Sequence, residues 1–111
     1  MKKILLFVII LFLFSACGGN VYDRTIAMYE DATEELQSAK SREEALVVNR
    51  KLNSDYSALL RENGDEFTEL RRRALKGDKK IALQFEKVNE TKRLYKDTKR
   101  KKIKEFSEGK R

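Results

Sequence analysis

The chain has 111 residues, of which 39% are charged, with a formal net charge of +7, a single Cys and no His, Pro or Trp. That length holds one domain. The missing His removes the imidazole base and the commonest zinc ligand, and one Cys cannot build a disulfide framework within the chain. Zero Pro and few Gly, beside abundant Glu, Lys, Leu and Ala, make a composition for long helices. No glycine-rich phosphate loop, no metal-ligand spacing and no nucleophile beside a base can be read. The adjacent carboxylates of Glu34-Glu35 and Glu43-Glu44 would point to different sides of a helix rather than pair as acid and base. The composition therefore predicts no enzyme, no metal and no cofactor.

The chain opens with Met1-Lys2-Lys3, a short positive segment, followed by the unbroken hydrocarbon run Ile4 to Phe14. A spanning helix needs about 20 apolar residues to cross roughly 30 Å of hydrocarbon, so this run is too short. It matches the apolar core of a secretory signal. A buried core helix would show polar residues on one face, and this segment has none.

The residues that follow, Phe14-Ser15-Ala16-Cys17, resemble the lipobox of bacterial lipoproteins. Ser15 and Ala16 match the small residues ahead of the cysteine, and Phe14 stands where that family usually has Leu. The downstream Cys17-Gly18-Gly19-Asn20 looks like the lipoproteins of Bacteroides and its relatives. The resemblance implies a diacylglycerol on the Cys17 sulfur, a cut between Ala16 and Cys17, and acylation of the new amine. It covers the first fifth of the chain. Gly18 stands where an Asp would, by analogy with enteric lipoproteins, retain the protein at the inner membrane, which favours the outer membrane. The lack of acidic residues before Asp23 favours its periplasmic face. The competing cut, after Gly18 by the ordinary signal peptidase, would discard Cys17 and release a free secreted protein. On this reading residues 1–16 are a cleaved signal, 17–20 the lipidated Cys and a short tether, 21–108 a helical domain and 109–111 a disordered tail.

Three helices are predicted. In the first, from about Val21 to Ala39, Tyr22, Ile26, Tyr29, Thr33 and Leu36 recur by four and three, and Ala32 and Ala39 widen that stripe. Ser41 to Glu44 spells a capping box, with the Ser41 hydroxyl on the amide of Glu44 and the Glu44 carboxylate on the amide of Ser41. The second helix starts there, with Ala45, Val48, Leu52, Tyr56 and Leu59 on one face and Leu60 beside it. Phe67, Leu70 and Ala74 resume that face beyond Asn63-Gly64-Asp65. This favours one kinked helix to about Lys76 with its weak point at Gly64, over two helices meeting at a turn. Gly77 suits a left-handed helix end and Asp78 the next N-cap. The third helix, from about Lys79 to Phe106, carries Ile81, Phe85, Val88, Tyr95 and Phe106, with Leu94 and Ile103 alongside and Lys92 interrupting the seam. The expected fold is all-α: an elongated three-helix bundle, or a helical hairpin with a shorter N-terminal helix laid alongside. About ninety residues around a thin seam leave a slim core, to which a homodimer would add burial.

Charge is segregated. Residues 18–70 carry 12 acidic and 6 basic side chains, and residues 71–111 carry 17 basic and 6 acidic. One reading is a solvated surface obeying the helix dipoles, with the acidic first helix beside the basic third. The other is a docking surface for something anionic, with Lys99, Arg100, Lys101 and Lys102 as its footprint. Nucleic acid would satisfy the same electrostatics but is set aside, because the signal takes the chain out of the cytosol. The expected function is a small lipid-anchored envelope module that works by binding or by structure, its partners the membrane through Cys17 and an envelope protein or a second copy. The alternative is a peripheral binder of anionic lipid or glycolipid through the basic helix end.

Overall fold

The computed structural model describes residues 19–108. The signal segment 1–16, the cleavage pair Ala16 and Cys17, and the tail 109–111 lie outside the described residues. Four helices follow in chain order: α1 (Val21–Ser38), α2 (Arg42–Glu62), α3 (Gly64–Leu75) and α4 (Lys79–Glu108). The described residues contain no strand. The fold of the described residues is all-α, but they hold four helices and not the three expected, because the second breaks.

The break falls at Asn63, one residue before the glycine expected to weaken the helix. Asn63 has φ −128° and ψ 31°, away from helical values. Its side-chain amide donates to the Leu59 carbonyl at 3.1 Å, and its backbone N–H donates to the same oxygen at 3.0 Å. An asparagine side chain that bonds nearby backbone competes with helix continuation. Gly64 then begins α3, where its lack of a side chain costs little.

Local signals explain the other ends. The Asn20 side chain accepts from Asp23 N at 3.0 Å and caps α1, with Asp23 itself in the first turn, where helix dipoles favour an acid. Ser41 Oγ accepts from Glu44 N at 3.1 Å, as the capping box requires. The returning Glu44 carboxylate reaches the amide of Lys40 at 2.8 Å, not that of Ser41. The extended Ala39 and Ser41 on either side bring the Lys40 amide within that reach. Gly77 has φ +103°, and Asp78 Oδ1 accepts from Ile81 N at 3.2 Å.

The two glycines next to helix ends carry opposite predictions. A Cβ at either position meets nothing within 4 Å, so conformation alone decides. Gly77→Ala forces a side chain into a left-handed backbone and costs about 1–2 kcal/mol. Gly64→Ala, in helical backbone, trims the freedom of the unfolded chain and gains about 0.5 kcal/mol. Urea midpoints of the two variants should move in opposite directions.

Packing fixes the directions. Tyr22 meets Phe67 and Phe85, while Tyr29 meets Tyr56 and Tyr95. Helices α1 and α4 thus run parallel, with α2 and α3 antiparallel to both. The most extensive interhelical contact is between α1 and α4. The body measures 51 × 31 × 23 Å, and its long axis follows from the 30 residues of α4 at about 1.5 Å each.

The core divides into two clusters. One joins Val21, Tyr22 and Ile26 of α1 to Leu70 of α3 and Ile81 and Val88 of α4. The other joins Ala32, Leu36 and Ala39 to Ala45 and Leu52 of α2 and Tyr95 of α4. A string of rings, Tyr22–Phe67–Tyr56–Tyr29–Tyr95, runs between them with centroids 5.5–6.5 Å apart. The expected stripes are largely inward, with three exceptions. Leu60, Phe85 and Leu94 are exposed. On α4 the seam turns toward Thr91, which lies between Val88 and Tyr95 and is buried. Val21 and Thr25 are also buried although the periodicity omits them. The threonines fit an apolar seam because each hydroxyl donates back into its own helix: Thr25 to Val21 O, Thr33 to Tyr29 O and Thr91 to Lys87 O, at 2.7–2.8 Å.

Candidate functional site

The basic end of α4 is the first candidate. Successive helical residues turn by about 100°, so Lys99, Arg100, Lys101 and Lys102 cannot share a face. Lys99 folds inward: its ammonium donates to Asn49 Oδ1 at 3.3 Å and lies 5.9 Å from the Tyr95 ring centre. Lys102 donates to Ala39 O at 3.3 Å, just beyond the C-terminus of α1, where a cation complements the helix dipole. Arg100 pairs with Asp97 at 2.9 Å on an exposed surface, and Lys101 is exposed. Two of the four cations thus lie outward and two tie α4 to its neighbours.

The anticipated pairing of the acidic first helix with the basic fourth is not made by ion pairs. The salt bridges among the described residues are local: Lys51–Asp55, Glu69–Arg72, Arg73–Asp78 and Asp97–Arg100. Between α1 and α4 the polar links are neutral or half-neutral. Asn20 Nδ2 donates to Gln84 Oε1 at 2.9 Å, and Gln84 Nε2 donates to Asp23 Oδ1 at 2.8 Å. Asn20, grouped with the tether by its position, is thereby held at both ends of its amide. Surface pairs of this kind are each worth about 0–1 kcal/mol, and the excess of base over acid lies on α4, with eleven basic and five acidic side chains.

The second candidate is Lys92, the interruption in the α4 seam. Its ammonium donates to Tyr56 Oη at 2.7 Å and lies 4.5 Å from the centre of that ring and 5.7 Å from the Tyr29 ring. The half-buried lysine is satisfied by phenol and π-face together, and its stem packs while its head stays polar. This is a structural use of a charge, and it explains why the imperfect position is tolerated. In the sequence it shows only as a lysine interrupting the α4 seam.

Tyr95 donates to Asn49 Oδ1 at 2.7 Å. Burial pushes its hydroxyl up to about 12, with Tyr29 adding to the rise. Burial raises Tyr22 and Tyr29 as well. A folded-state value above the unfolded one means that the folded chain keeps a proton the unfolded chain loses. The stabilisation is complete below about pH 10 and fades as pH climbs toward the folded value. Unfolding midpoints should fall as pH rises from about 10 to about 12, and the slope should be shallower in Tyr95→Phe.

A groove of about 330 Å³ lies between α1 and α2, lined by Met28, Val48 and Leu52 below and Asp31, Glu35, Lys51 and Asp55 at the mouth. Partial burial, then Glu34, Glu35 and Glu30, raises the Asp31 carboxyl, and Lys51 opposes them. The groove is shallow and mixed in polarity. Among the described residues no three His, Cys, Asp or Glu side chains converge to hold a metal ion, and no helix is long and apolar enough to cross a membrane.

Comparison with protein families, curated proteins and solved structures returns no match to this chain.

Proposed function

We propose that this chain is a lipid-anchored helical module of the bacterial envelope, fixed through acylated Cys17 and working by binding or structure rather than by catalysis. The carrying observation is the placement of the only cysteine behind an eleven-residue apolar run and two small residues. The spacing supports it: α1 begins at Val21, four residues after the cysteine, which suits a short tether. Two or more acyl chains make such anchoring stable, since each buried methylene contributes about 0.8 kcal/mol. The architecture is best read as three rods, with α2 and α3 the two halves of one broken rod. The location we favour is the periplasmic face of the outer membrane.

Cys17→Ser tests the anchor. The wild-type protein should sediment with membranes, and its mature mass should match an acylated chain beginning at residue 17. The Ser variant should lose processing and shift to the soluble fraction or remain as precursor. A wild-type mass corresponding to an unmodified chain starting at Gly19 would establish free secretion instead.

The alternative footprint at the basic end of α4 retains Arg100 and Lys101 as outward cations, with Arg100 74% exposed at its side chain. Salt-sensitive binding of the Cys17→Ser protein to anionic vesicles, lost on changing these two to Gln, would favour it. Co-purification of one envelope protein, unaffected by that change, would favour a protein partner.

A further inference from the structure

The end of the bundle where the chain enters carries a surface that the fold does not use. Helices α3 and α4 meet there in the Lys76-Gly77-Asp78 turn. Leu75, the last residue of α3, is 80% exposed, and Leu83, one turn into α4, is 66% exposed. Leu75 is the most exposed of the large hydrophobic side chains among the described residues. Around it stand Arg71, Arg72, Arg73, Lys76, Lys79 and Lys80, all exposed, against the single acid Asp78 in residues 71–80. Arg72 and Arg73 are engaged by Glu69 and Asp78, and the lysines flank the turn. An exposed leucine ringed by long cations suits a lipid surface, where the chain enters the acyl boundary and the cations snorkel to headgroups.

The geometry places this turn beside the anchor. Val21 N donates to Glu66 Oε2 at 3.1 Å, and Asn20 bonds Gln84, so Glu66 and Gln84 lie level with the start of α1. From Glu66 to Leu75, α3 runs on for about 14 Å, and α4 extends about 8 Å back from Gln84 to Lys79. The turn therefore projects beyond the start of α1 by about 10 Å. The three residue steps from Cys17 to Asn20 span at most about 10 Å when extended. The two lengths match. A sulfur carrying lipid at position 17 brings the turn into the headgroup layer of the same leaflet.

We infer that the α3–α4 turn is a second membrane contact, in which Leu75 enters an anionic phospholipid surface, Lys76, Lys79 and Lys80 pair with its headgroups, and the bundle stands on that end. The inference rests on the anchoring reading. It also directs the Lys99–Lys102 end outward, since Lys99 lies about 30 Å along α4 from Lys79. That is more than three Debye lengths from the bilayer at physiological salt, so those cations face whatever lies opposite the anchoring membrane.

The chain has no tryptophan, so one introduced indole reports its own surroundings. The full-length gene would be expressed with Leu75→Trp or with Lys101→Trp, and each mature protein purified from membranes. Each would then be reconstituted into phosphatidylglycerol–phosphatidylcholine vesicles carrying brominated acyl chains. The Leu75→Trp emission should be blue-shifted and quenched, and the added change of Lys76, Lys79 and Lys80 to Gln should reduce the quenching. The Lys101→Trp emission should match that of an indole in water. Protein that floats with vesicles while its Leu75→Trp emission stays water-like overturns the turn contact and leaves the anchor standing. Quenching in Lys101→Trp overturns the upright posture. Protein that does not float overturns the anchor and this inference together.

Discussion

Leu36→Ala is expected to lose about 3 kcal/mol of folding stability, in the range for a leucine removed from a closed core. Leu36 is fully buried and belongs to the cluster of Ala32, Ala39, Ala45, Leu52 and Tyr95. Three of those five neighbours are alanines. They have no side-chain torsion with which to collapse into the space, so the cavity persists and the cost stays well above simple transfer. A domain of about ninety residues holds roughly 5–13 kcal/mol in total, so one substitution removes a large share. The melting temperature should fall by about 10–20 °C. Leu94→Ala is the matched control. That leucine is 57% exposed, and its removal should stay within about 0.5 kcal/mol of wild type. Equal losses at the two positions would mean that α4 presents a different face to the bundle.

Tyr29→Ala is expected to cost about 3 kcal/mol and to change how the molecule opens. The Tyr29 ring lies edge-on to Tyr56 at 5.6 Å and to Tyr95 at 5.5 Å, with the Lys92 ammonium 5.7 Å from its centre. Each aromatic pair contributes about 0.5–1.5 kcal/mol beyond the area it buries. Its removal also withdraws one π-face from a half-buried cation. Tyr29 stands in the string of rings that joins the two core clusters, so its loss weakens their coupling. Amide exchange in wild type should show α1 opening as one unit. In Tyr29→Ala the amides around Ile26 and those around Leu36 should acquire different opening free energies. Tyr29→Phe keeps the ring and should restore most of both properties.

Much of this fold is legible from residue order, and the misses share a cause. The Gly77-Asp78 reversal, the Ser41 cap and most of the inward stripe follow from chemistry acting within four residues, which a linear reading captures. The break at Asn63 is also local, but two adjacent weak residues compete there. The decision turns on whether a side-chain amide finds the Leu59 carbonyl, which composition does not reveal. The burial of Thr25 and Thr91 depends on hydroxyls folding back on their own helices, so residues scored as polar pack as apolar ones. The exposure of Leu94, and the placing of Val21 against Leu70 and Ile81, depend on how helices distant in sequence rotate against one another. Lys92 is recognisable as an interruption, but its aromatic neighbours come from α1 and α2. At the surface, the run Lys99 to Lys102 is conspicuous as a string of letters, yet helical rotation scatters it around the rod. The cations near Leu75 are contiguous in residues 71–80, but the exposure of the leucine among them follows from how α3 and α4 pack.

The parallel course of α1 and α4 has a mechanical consequence. Tension applied at the start of α1 and at the far end of α4 pulls two side-by-side rods in opposite directions along their common axis. The load then falls in shear on the whole length of their contact, from Tyr22 against Phe85 to Tyr29 against Tyr95, and the contacts must yield together. Had the two helices run antiparallel, the same pull would peel them apart one turn at a time.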